Sequence, residues 1–410
     1  MSTEIRDEKT MEMAESLLKR APYKLPDCWR WVRLGEVCEI DSNQVQPNTE
    51  LAKRLPYIGL EHIESGTGKI IEKINNQNGK PVQSITFRFD SRHVLYGKLR
   101  PYLNKVAIPG FEGRCSTELL PLLPENGCNR YYLVWALRRD ETVEEAMRHK
   151  TGTRMPRADM DDLFKMLVPL PPLPEQQRIA ARLQELMREV ERARTACEKQ
   201  LEAAKGLPAA YLRAVFESEE AEKWERKRLR EVCEIILGQS PPGSTYNREN
   251  IGLPFFQGKI DFGLVYPVPS TWCSKPIKIA QPSDILISVR APVGPTNMAN
   301  QKCCIGRGLA AIRPNGNIAP GFVFYFFRFI ESGLSEKYGG RGSTFGAMTR
   351  EHLQELEIPL PPLPEQKRFS TDLTAKMSEV EKLRQSIENR LEAINALPQA
   401  ILQKAFRGEL

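Results

Sequence analysis

Val168-Pro169-Leu170-Pro171-Pro172-Leu173-Pro174-Glu175-Gln176-Gln177 is written a second time, 190 residues later, as Ile358-Pro359-Leu360-Pro361-Pro362-Leu363-Pro364-Glu365-Gln366-Lys367. A period that long is no solenoid repeat; it marks a whole architectural half that has been duplicated. The same offset aligns Arg100 with Arg290, Leu119 through Pro124 with Leu309 through Pro314, and Gly152 with Gly342. It also aligns Leu207-Pro208 with Leu397-Pro398, and Phe216 with Phe406. Near the start of each half the offset is 195, with Trp29 matching Trp224 and Leu34, Glu36, Val37, Cys38, Glu39, Ile40 matching Leu229, Glu231, Val232, Cys233, Glu234, Ile235. The chain is two copies of one design, separated by small insertions.

Each proline phrase leads into a helix-period segment. In the first copy Ile179, Leu183, Leu186, Val190, Ala193, Cys197 and Ala204 fall at alternating steps of four and three, with polar Gln200 in the series; in the second, Phe369, Leu373, Val380, Leu383, Ile387 and Ile394 hold the equivalent positions, with polar Lys376 and Arg390 interrupting. That is an apolar a/d seam over about four heptads. Pro174 and Pro364 stand in the first turn, where a helix tolerates proline, with Glu and Gln following at the positive end of the dipole. The seams predict two helices of ~30 residues, each ~45 Å long, pairing with each other as an intramolecular antiparallel coiled coil. Their exteriors mix signs, seven basic and six acidic residues between Glu175 and Lys205, as a solvated coiled-coil surface does.

The segments between the helices read as mixed α/β. Strand candidates such as Ile85–Phe89, Ile285–Val289 and Leu309–Ile312 are broken by Gly, Pro and Asn, and short helices are expected over Tyr131–Met147 and Gly321–Leu334. The expected fold is α+β: two mixed α/β domains separated by two long helices, with internal duplication and pseudo-two-fold symmetry. The expected boundaries are an extension at 1–27, a first domain at 28–172, a helical region at 173–217, a second domain at 218–362 and a second helical region at 363–410.

Composition excludes several classes. No apolar run approaches the ~18 residues that span a membrane, and the N-terminus lacks a signal-peptide pattern, so a cytoplasmic protein is expected. Nine cysteines without a CxxC pair read as reduced thiols, and four scattered histidines without HExxH argue against a metal site. An adenine methyltransferase would need an Asn/Asp-Pro-Pro-aromatic loop; every Pro-Pro here follows Leu or Ser. The segment Gly252 to Lys259 is one residue too long for a phosphate loop and is followed by Ile260 where Ser or Thr is required. No catalytic residue is assigned. A net charge of +7 permits nucleic-acid binding without demanding it.

Basic and amide-bearing loops carry the functional signal. Lys98, Arg100, Tyr102, Asn104 and Lys105 lie on one turn-rich stretch, with Ser288 and Arg290 on its counterpart. Lys150, Thr153 and Arg154 match Arg341, Ser343 and Thr344 in a second pair of loops. Gln239, Ser240, Tyr246, Asn247 and Lys259 complete the candidates. Lys and Arg neutralise phosphates, while Arg, Asn and Gln make paired hydrogen bonds to base edges. A coiled-coil scaffold without DNA binding, or an unrecognised nuclease or methyltransferase, are the alternatives.

With paired Leu-Pro-Pro-Leu-Pro-Glu-Gln phrases, two coiled-coil helices, two divergent α/β segments and the loop Gly238-Gln239-Ser240-Pro241-Pro242-Gly243, the chain resembles the specificity subunit of type I restriction-modification systems over roughly 28–410. The resemblance implies that each domain is a target recognition domain reading one half of a bipartite, asymmetric site in double-stranded DNA. The helices would set the spacer. Two modification (methyltransferase) subunits carrying S-adenosylmethionine would dock on the chain, and translocating restriction subunits using ATP and Mg2+ would join through them. The chain itself would bind none of these cofactors, and no membrane. The first half lacks the Gly-Gln-Ser-Pro-Pro opening, which marks its reader as different from the second.

Overall fold

The structure, a computed structural model, describes residues 23–71, 82–339 and 346–410. The chain divides into two compact units, each discontinuous in sequence: Met1–Ala196 with Arg390–Leu410, and Cys197–Asn389. Each unit therefore takes one α/β segment, the near part of one long helix and the far part of the other.

The sheets repeat between units. In the first, a four-stranded antiparallel sheet runs in the order Cys38–Ile40, Leu119–Pro124, Val94–Gly97, Val106–Ala107. In the second the order is Cys233–Leu237, Leu309–Pro314, Ile285–Ser288, Thr296–Met298. A second small sheet in each unit contains one parallel pair, Tyr57–Ile58 beside Gly113–Ser116 and Leu253–Phe256 beside Cys303–Ile305. The strand leading into each proline phrase pairs with the first strand of its own unit, Arg30–Arg33 with Leu167–Leu170 and Glu225–Arg228 with Glu357–Leu360.

One helix covers each four-stranded sheet. Arg130–Leu137 buries Leu133, Val134 and Leu137 among Val94, Tyr96, Leu120 and Leu122. Pro320–Tyr338 buries Phe322, Val323, Phe326 and Phe327 among Ile285, Ile287, Ala310 and Ile312. The single helix expected over Tyr131–Met147 is two, Arg130–Leu137 and Asp140–Arg148. The chain turns between them because the Arg138 side chain is drawn inward, its Nη2 donating to the Val106 carbonyl at 2.6 Å.

The two long helices are Leu173–Phe216 and Leu363–Phe406, 44 residues each, or about 66 Å. They are longer than the expected ~30 residues because they run on through Pro208 and Pro398. A proline inside a helix costs ~3 kcal/mol, and here the turns beyond it are docked. Leu212 and Phe216 enter the core of the second unit, and Leu402, Ala405 and Phe406 pack with Ile179, Leu183 and Tyr132 in the first. Burial of two aromatic and two leucine side chains outweighs the proline penalty. Within each unit the start of one helix thus lies against the end of the other, in antiparallel sense: Arg178 donates to the Leu410 carbonyl at 2.7 Å, and Lys376 sits 5.2 Å from the Tyr211 ring centroid.

The seam is in part displaced from its expected phase. Ile179, Leu183, Cys197, Leu373, Val380, Ile387 and Ile394 are buried, and Leu186, Val190 and Phe369 are half-buried. Ala193 and Leu383 are exposed, Leu383 by 46 %, and the half-buried residues at those turns are Arg194 and Arg384. The seam steps by four where three was expected, at the same place in both copies. Arginine fits there because its aliphatic stem packs while its head reaches the flank, where Arg384 meets Glu381 at 2.8 Å.

The repeated glutamine joins helix to sheet. Gln176 is 1 % exposed; its Oε1 accepts from Asn129 N at 2.7 Å, and its Nε2 donates to the carbonyls of Gly127 (3.0 Å) and Pro171 (2.9 Å). Gln366, also 1 % exposed, accepts from Ala319 N at 2.8 Å and donates to Asn317 and Pro361 at 3.4 and 2.8 Å. All three partners differ by the offset of 190. Replacing Gln366 by leucine strands the buried Ala319 N–H and two carbonyls, and should lower the unfolding free energy by about 2–3 kcal/mol in urea denaturation. The exposed neighbour Lys367→Gln should change it by less than ~0.5 kcal/mol.

Candidate nucleic-acid interface

In each unit the loop that leaves the third strand of the four-stranded sheet is stitched to the segment before the proline phrase. In the first unit Arg100 N donates to Pro156 O at 2.6 Å, and Ala158 N to Lys98 O at 2.8 Å. These bonds bring the Lys98–Lys105 loop and the Lys150–Arg157 segment, distant in sequence, onto one face. In the second unit Met348 N donates to Val289 O at 2.8 Å, and Arg290 bridges Ala347. Arg341, Ser343 and Thr344 lie outside the described residues.

On the first face Arg100, Tyr102, Lys150, Thr153 and Arg154 are exposed and Lys98 is half-buried. Arg100 and Asn104 both adopt left-handed backbone, at φ 53° and 47°, which folds the loop tightly around Pro101–Leu103. Lys105 and Asn104 are engaged by the fold: Lys105 Nζ donates to Leu60 O at 2.7 Å and Asn104 Nδ2 to Arg138 O at 2.8 Å. Arg157, not singled out from sequence, forks onto Glu118, with Nε 3.0 Å and Nη2 2.8 Å from Oε1. This pair puts a carboxylate into the basic face.

The second face is built differently. Arg290, Lys259 and Arg307 are exposed and, with Gln257 and Ser288, line a cavity of about 210 Å³ to which no carboxylate contributes. Ser288 is itself buried, its Oγ donating to Arg290 O at 3.1 Å, so it shapes the loop and presents no hydroxyl to solvent. Asp261 braces the rim from behind, Oδ2 accepting from Gln257 N at 2.6 Å and Gly258 N at 3.3 Å. Three cations around one hollow repel one another until an anion enters, which makes the cavity suited to a phosphate. Arg307 and Gln257 were missed from sequence; the signal was the Gly306-Arg307-Gly308 triplet, two glycines that let the backbone turn and carry an arginine outward.

The Gly238–Asn247 loop closes beside this cavity. A Cβ on Gly238 would meet the carbonyls of Gly306 and Leu309, so only glycine fits. Ser240 Oγ accepts from Arg307 N at 3.2 Å. Tyr246 donates to Pro241 O at 2.7 Å and its ring lies tilted against Phe255, centroids 4.6 Å apart; Asn247 accepts from Ile251 N at 3.0 Å and donates to Ile251 O at 2.9 Å. Ser240, Tyr246 and Asn247 thus position the loop and Arg307, while Gln239 is exposed.

Among the described residues no group of three or more His, Cys, Asp or Glu could hold a metal ion, and no helix is long and apolar enough to cross a membrane. Burial pushes the thiols of Cys38, Cys128, Cys233 and Cys303 up to about 12 and that of Cys304 to about 11, so these five are not activated.

Comparison with known proteins assigns the chain to a family. The family model described as the type I restriction modification DNA specificity domain matches twice, over residues 26–202 and 221–393. A chain of Methanocaldococcus jannaschii named for the specificity subunit of type I restriction enzyme MjaX is 32 % identical over 92 % of this chain and 96 % of its own length. The EcoDI specificity subunit of Escherichia coli is 28 % identical over 49 % of this chain and 44 % of its own. Among solved structures, a chain from work on complex assembly and conformational transition of the type I R-M system superposes with a TM-score of 0.81 at 40 % identity, covering 95 % of this chain and all 100 % of that one. The HsdS subunit from Thermoanaerobacter tengcongensis gives 0.69 at 39 % identity, covering 95 % and 99 %.

Of the nine cysteines Cys28 alone is exposed. A thiol reagent at pH 7.5 should therefore modify about one cysteine per native chain and the others only after denaturation, because the reagent must reach a thiol to attack it. Rapid reaction of several thiols in the native protein would contradict the burial described.

Proposed function

The chain belongs to the type I restriction-modification DNA specificity family, and from that premise we propose that each unit reads one half of a bipartite, asymmetric site in double-stranded DNA. Members of this family are targeting subunits without catalysis of their own, and this chain binds DNA within a restriction-modification complex. The observation that carries the finer reading is that both units repeat one sheet order and one pair of stitched loops while differing in the side chains those loops present. A duplicated frame with divergent loops suits two readers of different sequences.

Phosphate contacts from Lys98, Arg100, Lys150, Arg154, Lys259, Arg290 and Arg307 supply salt-dependent affinity, and side chains of the same loops supply discrimination. The two long helices set the distance between the half-sites. Two modification subunits bring S-adenosylmethionine and the methyl-transfer chemistry, and restriction subunits bring ATP and Mg2+. The complex acts in the cytoplasm, on host and invading DNA. A scaffold that never meets DNA would have no use for a carboxylate-free hollow lined by three cations.

Mapping methylated adenines on host DNA tests the reading: a bipartite motif with a fixed gap should vanish when this gene is deleted. Replacing residues 28–168 by another reader should change one half of that motif and leave the other intact; a change in both halves would refute independent reading. Lys259→Ala, Arg290→Ala and Arg307→Ala should each weaken binding across all sequences and lower the slope of log K against log salt by about 1. Unaltered salt dependence in all three would remove the cavity from the interface.

A further inference from the structure

Ile260 is 94 % exposed, the barest large apolar side chain among the described residues. It is not on a loose loop. It is the middle residue of the turn Lys259–Asp261, braced by the Asp261 carboxylate on Gln257 N and Gly258 N and closed by the bridge between Phe262 and Pro267. The preceding residue, Lys259, lines the cavity with Arg290 and Arg307. Along the same excursion Leu264, Tyr266 and Val268 are 57 %, 48 % and 64 % exposed. An apolar point this exposed, on a turn braced by hydrogen bonds beside a cationic hollow, suits a ligand that carries an apolar group next to a negative charge.

The first unit repeats the turn with different chemistry. Leu60–His62 follows Gly59, whose N–H is taken by His62 Nδ1 at 2.8 Å as Gly258 N–H is taken by Asp261. The middle residue there is Glu61, its side chain 66 % exposed, and the turn touches the basic loop through Lys105 Nζ on Leu60 O. One braced turn beside one basic loop thus offers isoleucine in one unit and a carboxylate in the other.

Resting on the DNA-reading role above, we infer that Ile260 is a specificity-determining residue that enters the major groove and packs on the C5-methyl group of a thymine, while a backbone phosphate occupies the cavity of Lys259, Arg290 and Arg307. The thymine methyl is the apolar group on the major-groove edge of the base pairs, so an aliphatic contact there separates A·T from its alternatives. The cations select the occupant: they attract phosphates, and the phosphate contact fixes the register in which Ile260 meets its base.

The test uses the full chain copurified with its modification subunits and a randomised duplex library, selecting bound sequences for the wild type, Ile260→Ala and Ile260→Glu. Ile260→Ala should lower the preference for one thymine in one half-site roughly tenfold, with every other position and the melting temperature unchanged. Ile260→Glu should turn that position away from thymine. Replacing that thymine by uracil, which removes only the methyl group, should weaken wild-type binding by a similar factor and leave the alanine variant unaffected. An unchanged motif in both variants, or indifference of the wild type to uracil throughout the site, would overturn the inference while leaving DNA reading intact. Loss of the modification subunits in Ile260→Glu with the motif preserved would assign the patch to protein docking instead. A wild type that selects no motif would sink the DNA-reading role itself.

Discussion

In each unit one buried glutamine ties the start of the long helix to the sheet-covering helix and the proline phrase. Gln176 and Gln366 each span three backbone groups from three places: the residue that starts the sheet-covering helix, the turn before it, and the proline phrase itself. An amide side chain is suited to this because it offers an acceptor and two donors on one flat group. A carboxylate could not donate, and an apolar residue would leave buried N–H and C=O groups without partners. The proline run ahead of each glutamine is stiff, so the direction in which the chain leaves the sheet is carried into the first turn of the long helix. The angle between reader and helix is therefore set at one residue in each copy.

That arrangement separates what must be constant from what can vary. The strand orders, the glutamine clamps and the aromatic docking at the helix ends recur in both units, for example Tyr132 on Phe406 in one and Phe322 on Phe216 in the other, with ring centroids 5.0 and 5.3 Å apart. The loops at the far side of each sheet carry no such duty. One displays a carboxylate–guanidinium fork, Glu118 with Arg157, and the other a hollow ringed by Lys259, Arg290 and Arg307. A frame that tolerates this exchange lets target preference change without disturbing the helices or whatever assembles on them.

Several candidate residues are engaged in hydrogen bonds within the fold, and the reason is chemical. Asn104, Lys105, Tyr246 and Asn247 were attractive because amides, ammonium groups and phenols recognise nucleic acid, yet the same groups satisfy the open carbonyls and amides of tight loops. Sequence reports the group and not its partner. Arg307 was overlooked for the converse reason: nothing in its spacing pairs it with Lys259 or Arg290, from which it is separated by 48 and 17 positions in the numbering, until the parallel strands bring their ends together.

The sequence by itself determined the duplication, the two helices, the α/β character of the readers and the family, because each is written as a local pattern: a repeated phrase, an apolar period, a strand-and-turn rhythm. Only the tertiary structure decided that each helix runs unbroken past the ~30-residue seam, through Pro208 and Pro398, because the turns beyond are held by the docking of Phe216 and Phe406. It also decided the phase of the seam, where Arg194 and Arg384 displace Ala193 and Leu383, because burial depends on what faces a helix and not on its own period alone. The same holds for the surface proposed to read DNA. Exposure of Ile260 and convergence of three cations are properties of neighbours distant in sequence, and a linear pattern carries no record of which neighbours will meet.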